Sequence, residues 1–144
     1  LALNGDGNNL GFADIIDEYG SKAGKAVYLY AGICELQLGN NEEALSYLKK
    51  YKGKEPILAA RAKACEGDAY VALGDYHAAV RSYKAAVDVA DNVFAAAYLL
   101  KEGSAYEALG QKAEALACYK TIESDYPQSL EAYEIAKNIA RVAE

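Results

Sequence analysis

Three eight-residue stretches of this chain repeat one pattern. They are Gly32-Ile33-Cys34-Glu35-Leu36-Gln37-Leu38-Gly39, Gly67-Asp68-Ala69-Tyr70-Val71-Ala72-Leu73-Gly74 and Gly103-Ser104-Ala105-Tyr106-Glu107-Ala108-Leu109-Gly110. An alanine follows each closing Gly by five residues: Ala44, Ala79 and Ala115. The copies stand 35 and 36 residues apart. A period of that length belongs to helical hairpins stacked in series, because one hairpin cannot bury its apolar face alone. The expected fold is all-α, a right-handed superhelical α-α solenoid forming a single structural domain. Such an array presents a long surface to a partner.

The local chemistry agrees with hairpins. Apolar residues recur with helical spacing, and Gly, Asn, Asp and Pro interrupt them at regular intervals. Eight helices are expected, near 10–19, 23–38, 41–52, 56–73, 76–90, 92–109, 112–126 and 129–143. Gly39, Gly74 and Gly110 each follow a Leu at the end of a first helix, where a left-handed backbone is wanted. The two residues after each Gly leave room only for an antiparallel return. Gly32, Gly67 and Gly103 lie inside helices, where Gly costs about 1 kcal/mol relative to Ala. Close approach explains that repeated cost: the second helix crosses there, with Ala44, Ala79 or Ala115 facing the gap. Tyr70 and Tyr106 would fill the space beside it, and Glu35 takes that place in the first copy. Leu48, Tyr83 and Tyr119 add bulk four residues after the alanines. Pro56 and Pro127 fall at the start of the following helix, where a missing N–H does no harm.

As a set, these residues resemble the tetratricopeptide repeat family over about 25–127. The frame is a small residue at Gly, an aromatic three later, then Ala, an aromatic four later, and Pro near the end. The chain departs from it in placing Tyr28, Lys63 and Leu99 at the early Trp position. Glu66 and Glu102 stand where Leu often precedes the Gly. The resemblance divides the chain into a partial repeat at 1–24 (second helix only), three repeats at about 25–59, 60–95 and 96–127, and a capping helix at 128–144. More loosely, Leu10-Gly11-Phe12-Ala13-Asp14-Ile15-Ile16-Asp17-Glu18-Tyr19 and Tyr28-Leu29-Tyr30-Ala31-Gly32-Ile33-Cys34 resemble bacterial YfgM-like repeat proteins. That likeness implies repeats on the periplasmic face of the cell envelope behind an upstream membrane anchor, with the cytoplasm as the alternative. A start at Leu1, in mid-repeat and without Met, reads as a fragment of a longer protein.

The repeat family implies a concave groove lined by the first helix of each hairpin. By register, its binding residues are Leu29, Ile33, Leu36, Gln37, Arg61, Asp68, Lys101 and Ser104, beside Ala26, Ala64, Val71, Ala72, Ala97, Leu100, Glu107 and Ala108. Some members grip a terminal carboxylate with Lys, Asn and Arg along this groove. Here Leu29, Ile33 and Ala97 replace such residues and only Lys101 matches, so no carboxylate clamp is expected. The expected function is a non-enzymatic scaffold for a protein or peptide partner, with self-association into a homo-oligomer as the alternative.

Catalytic, metal and cofactor chemistry finds no support in the residues. His77 is the one histidine, too little for a nucleophile–base pair or a metal set. Asn4-Gly5-Asp6-Gly7-Asn8-Asn9 begins like a calcium loop but lacks its Gly and its final Glu. Cys34, Cys65 and Cys118 form no C-x-x-C pair and read as small buried hydrophobes; a Cys34–Cys65 bridge is the other option. A net charge of −6 argues against nucleic acid, which needs a basic stripe. The basic run Lys49, Lys50, Lys52 and Lys54 lies at a helix end, where the dipole favours cations. No apolar run is long enough to span a membrane.

Overall fold

The computed structural model describes residues 25–90 and 93–144. The helix expected near 10–19, the partial repeat at 1–24 and the calcium-like segment at Asn4 lie outside the described residues. Seven α-helices follow in order: α1 Lys25–Gln37, α2 Asn41–Lys50, α3 Pro56–Ala72, α4 Tyr76–Val89, α5 Ala95–Ala108, α6 Lys112–Asp125 and α7 Ile135–Ala143. There is no strand among the described residues. Helices α1/α2, α3/α4 and α5/α6 form three antiparallel hairpins, and each helix packs on its successor.

Local signals set most helix ends. Pro56 opens α3, and the Glu55 carboxylate accepts from the Leu58 N–H at 2.8 Å. Asp75 caps α4 through the Ala78 N–H at 3.1 Å. Gly74 has φ of 81°; its N–H reaches the Val71 carbonyl at 3.0 Å and the Asp75 N–H reaches Tyr70 at 2.9 Å. These two bonds tie off orphan carbonyls of α3, and the backbone they require suits Gly. Gly39 and Gly110 repeat the arrangement. Lys49 and Lys50 stand in the last turn of α2, with Glu42 and Glu43 in its first, the polarity the helix dipole favours.

The last expected helix is divided. Its residues 129–134 do not join α7; a short 3₁₀ turn, Glu131–Tyr133, precedes it. Ser129 ties the backbone before α7, and the chain leaves helical geometry at Glu134 (φ −111°, ψ 2°). Its hydroxyl donates to the Tyr126 carbonyl at 2.7 Å and accepts from the Ala132 N–H at 3.2 Å. A side chain that bonds nearby backbone offers an alternative to the helix ladder. Pro127 accordingly sits in a turn rather than at a helix start.

Three buried clusters run along the stack, each joining a hairpin to the element that follows it. Leu29, Ala44, Leu48, Ala62 and Cys65 bind α1 and α2 to α3. Ala79, Val80, Tyr83 and Ala105 bind α4 to α5, with Tyr70 and Tyr106 half-buried against them. Ala96, Leu99, Ala115, Cys118, Tyr119, Ile122, Ile135 and Val142 close the third hairpin beneath α7. Each large side chain in these clusters contributes about 1.5–3 kcal/mol by leaving water.

The interior glycines are seats for side chains. A Cβ on Gly67 would stand 2.5 Å from Tyr83 Cε1, and one on Gly32 would stand 2.5 Å from Leu48 Cγ. Gly103 lies under the Tyr119 ring in the same way. The expectation that the alanines face the gap is refined: the Ala44 carbonyl oxygen would lie 3.3 Å from a Cβ on Gly32, but larger side chains come nearer. Ala44, Ala79 and Ala115 are fully buried, but the groups pressed onto the glycines are Leu48, Tyr83 and Tyr119, one turn further along the second helix.

Candidate functional site: a face of paired charges

The seated tyrosines reach across the first helices with their hydroxyls. Tyr83 of α4 lies over Gly67 and donates to Asp68 Oδ1 at 2.6 Å. The same oxygen accepts from Lys101 Nζ of α5 at 2.8 Å. Tyr119 of α6 lies over Gly103 and donates to Glu107 Oε2 at 2.5 Å. Glu107 also takes a two-pronged contact from Arg141 of α7: Nε to Oε1 at 2.9 Å and Nη2 to Oε2 at 2.7 Å. Asn138 accepts from Arg141 Nη1 at 3.3 Å. Each carboxylate therefore joins a tyrosine of its own hairpin to a cation of the next element.

The arrangement shifts the protonation of its members. The Arg141 bond, helped by Tyr119, holds the Glu107 carboxyl below its ordinary range despite some burial. Burial and the bond to Glu107 push Tyr119 up to about 12. Burial and the Asp68 bond raise Tyr83 further still. Both tyrosines are thus protonated donors at neutral pH. The cations are more exposed, so each ion pair contributes at most about 1 kcal/mol.

The first hairpin has no such clasp. Leu48 takes the tyrosine's place, while Ile33 and Leu36 occupy the positions one and four after Gly32. Those two side chains are half-buried. The face of α1, α3 and α5 thus begins apolar and ends in internally neutralised charge. A hollow of about 270 Å³ opens on it, lined by Val71, Tyr76, Tyr83, Leu100, Lys101 and Ser104. A larger hollow of about 500 Å³ lies between Val93 and the 125–129 turn, away from this face.

The residues expected in the groove differ in exposure. Arg61, Gln37, Lys101 and Ser104 are exposed, and Asp68 is partly so. Leu29 is corrected: it is 0% exposed and serves the core between α1, α2 and α3, not the surface. Lys101 is held by Asp68, which leaves it poorly placed to clamp a carboxylate. Tyr76 and Arg141 were not among the expected site residues. Tyr76 follows the capping Asp75, and Arg141 lies in the capping helix, outside the three repeats.

The remaining chemistry-bearing residues are quiet. His77 is exposed on α4. The three cysteines are free thiols; Cys65 and Cys118 are buried, and Cys34 is half-buried rather than fully enclosed. Burial raises both buried thiols, Cys118 to about 12, which suppresses thiolate chemistry. Lys49 and Lys50 stand over tyrosine rings. Among the described residues there is no His, Cys, Asp and Glu grouping that could hold a metal, and no helix is long and apolar enough to cross a membrane.

Two family models described as tetratricopeptide repeat match the chain, one at residues 66–129 and one at 26–56. No match is found among curated proteins. Two solved structures share the fold. A structure titled "Crystal structure of MamA" is 21% identical, with 96% of this chain and 81% of that chain covered and a TM-score of 0.74. Another, titled "Crystal structure of MamA protein", is 20% identical, with 92% and 69% covered and a TM-score of 0.72.

Proposed function

The chain belongs to the tetratricopeptide repeat family, a protein-interaction scaffold, and from that premise we propose that it docks a segment of a protein partner along the face of α1, α3 and α5. The hollow between Val71, Leu100, Tyr76 and Tyr83 carries this reading. Its walls suit a bulky apolar side chain, and the flanking Ile33 and Leu36 extend the apolar path. Two charge pairs on the same face are satisfied internally: Asp68 neutralises Lys101, and Glu107 neutralises Arg141, while Arg61 stays exposed. A partner that offered a terminal carboxylate to Lys101 or Arg141 would have to displace one of those bonds. The favoured ligand is therefore an internal, apolar peptide segment. The work of the module is assembly rather than catalysis. Its place in the bacterial cell envelope, behind a membrane anchor, rests on the YfgM-like residues 10–19 and 28–34.

A peptide array tests the reading. Bound peptides should be rich in Leu, Ile or Phe and indifferent to a free C-terminus. Leu100→Asp should weaken their binding at least tenfold, equivalent to about 1.4 kcal/mol. Enriched peptides whose affinity survives Leu100→Asp would refute the site. A mass that rises with concentration in light scattering, and falls back in Leu100→Asp, would assign the face to a second copy of the chain instead.

A further inference from the structure

The middle hairpin departs from the repeat frame twice on one helix face. Lys63 stands in the place of the family's Trp, and Glu66 in that of Leu. The two are paired at 3.3 Å, with Glu66 almost fully buried and the Lys63 side chain half-exposed. In place of a filled aromatic slot there is an open hollow of about 190 Å³ between α3 and α4. Lys63, Tyr70, Arg81 and Ser82 line it, with Ala78 and Ala85. These small residues of α4 leave the space unfilled. The hollow lies roughly 140° around α3 from Asp68 at 3.6 residues per turn, on a different face from the proposed peptide site.

Three elements bring cations to it. α3 gives Lys63 and α4 gives Arg81, both in its walls, and α2 gives Lys49 beside it, whose Nζ is 5.5 Å from the centre of the Tyr70 ring that lines the hollow. Glu66 is the acidic group that faces them. Lys49, Lys63 and Arg81 against Glu66 leave an excess of two positive charges, in a chain whose net charge is −6. Such a local reversal of sign, built from three helices around a concavity, attracts a compact anion.

We propose that this hollow binds a phosphate monoester group. A dianion balances the two-charge excess, whereas a carboxylate leaves half of it uncompensated. Arg81 offers a planar pair of donors, Lys63 and Lys49 offer point charges, and the Ser82 and Tyr70 hydroxyls can complete the shell. The volume admits a phosphoryl group and little more, so the remainder of the ligand stays outside. A nucleic-acid backbone would need a basic stripe, which a chain of net charge −6 does not favour. The phosphate source is either a free phosphate ester or a phosphoserine side chain on a partner. Binding here is independent of the apolar peptide site.

The test is a backbone-amide NMR titration of the chain at constant ionic strength, first with inorganic phosphate and then with a short phosphoserine peptide. Saturable shifts at residues 63, 70, 81 and 82 are expected, in the millimolar range for exposed charges screened by salt. Arg81→Gln, at an exposed position, should weaken binding at least tenfold without unfolding the chain. Lys63→Arg, which keeps the Glu66 pair, should retain binding and so confirm that charge rather than shape is read. Saturation by inorganic phosphate assigns the site to free esters; saturation by the peptide alone assigns it to a modified protein. Absence of saturation with both probes, shifts centred elsewhere, or shifts unaltered in Arg81→Gln would overturn the proposal.

Discussion

Replacing Gly67 by Ala separates two physical accounts by the sign of the result. Helix propensity alone favours the change, by about 1 kcal/mol. The seat under Tyr83 opposes it. The new methyl would lie 2.5 Å from Cε1, 2.6 Å from Cδ1 and 2.8 Å from Cζ of that ring, so the ring or the helix must move. Tyr83 is 3% exposed, and its hydroxyl is fixed to Asp68, itself held by Lys101. Overpacking costs about 1–3 kcal/mol, and breaking a hydrogen bond to a charged group costs about 1.5–3 kcal/mol. After the propensity gain is subtracted, the net loss is about 3 kcal/mol. For a chain of this length that lowers Tm by about 10 °C. Thermal melting followed by circular dichroism measures it. A paired Tyr83→Ala background removes the obstacle, so the two losses should fall short of additivity by more than about 0.5 kcal/mol. A Gly67→Ala protein that melts at or above the parent temperature would refute the seat, as would strict additivity in the double variant.

Two further predictions concern carboxylates. Glu107→Gln should cost about 1 kcal/mol at pH 7, since the pair it loses is largely exposed. The Glu107 carboxyl is held below its ordinary range in the fold, so its contribution exists above the unfolded value of about 4.3 and fades as pH falls through the lower folded value. The difference in Tm between parent and variant should therefore close in acid; a gap independent of pH would count against the Arg141 clasp. Glu102 behaves oppositely. It is 6% exposed, and burial raises its carboxyl, offset in part by the neighbouring Cys118 thiol. Glu102→Leu, which restores the family residue, should raise Tm at pH 7 by about 3 °C, for roughly 1 kcal/mol. That gain should shrink as pH falls and the parent Glu102 takes up its proton. A lower Tm at pH 7 would show that the buried carboxylate is well satisfied.

Much of the fold was legible because its signals are local. Gly74 after Leu73 demands a left-handed turn whatever surrounds it, and Pro56 after Glu55 starts a helix by its own chemistry. The seat of Gly67 was only half legible. Ala79 and Tyr83 lie one turn apart on the same face of α4, so spacing alone cannot say which of them presses on the glycine. The close approach decides in favour of the ring. Leu29 was assigned to the surface because register counts positions along α1 but does not show how far α2 and α3 wrap around it. Ser129 hid the break before α7, since the competition between a hydroxyl and the helix ladder depends on the turn at Tyr126.

The polar clasps were written in the sequence at a separation that local reading does not sample. Asp68 and Lys101 are 33 residues apart, and Glu107 and Arg141 are 34 apart. Each separation is close to the repeat period, which places a carboxylate beside a cation two helices later in the stack. The same step from Ile33 and Leu36 finds no such pair. That first junction instead relies on Leu29, Leu48, Ala62 and Cys65, whose burial is insensitive to salt. The chain thus uses two kinds of joint in one array. Where the seat holds a Leu, the joint is apolar and the half-buried positions beside it, Ile33 and Leu36, stay apolar too. Where it holds a Tyr, the hydroxyl recruits a carboxylate, the carboxylate recruits a cation, and the face becomes polar without gaining net charge. The choice of one residue over each interior glycine therefore sets both how adjacent hairpins are joined and what chemistry the adjoining stretch of surface offers to a ligand.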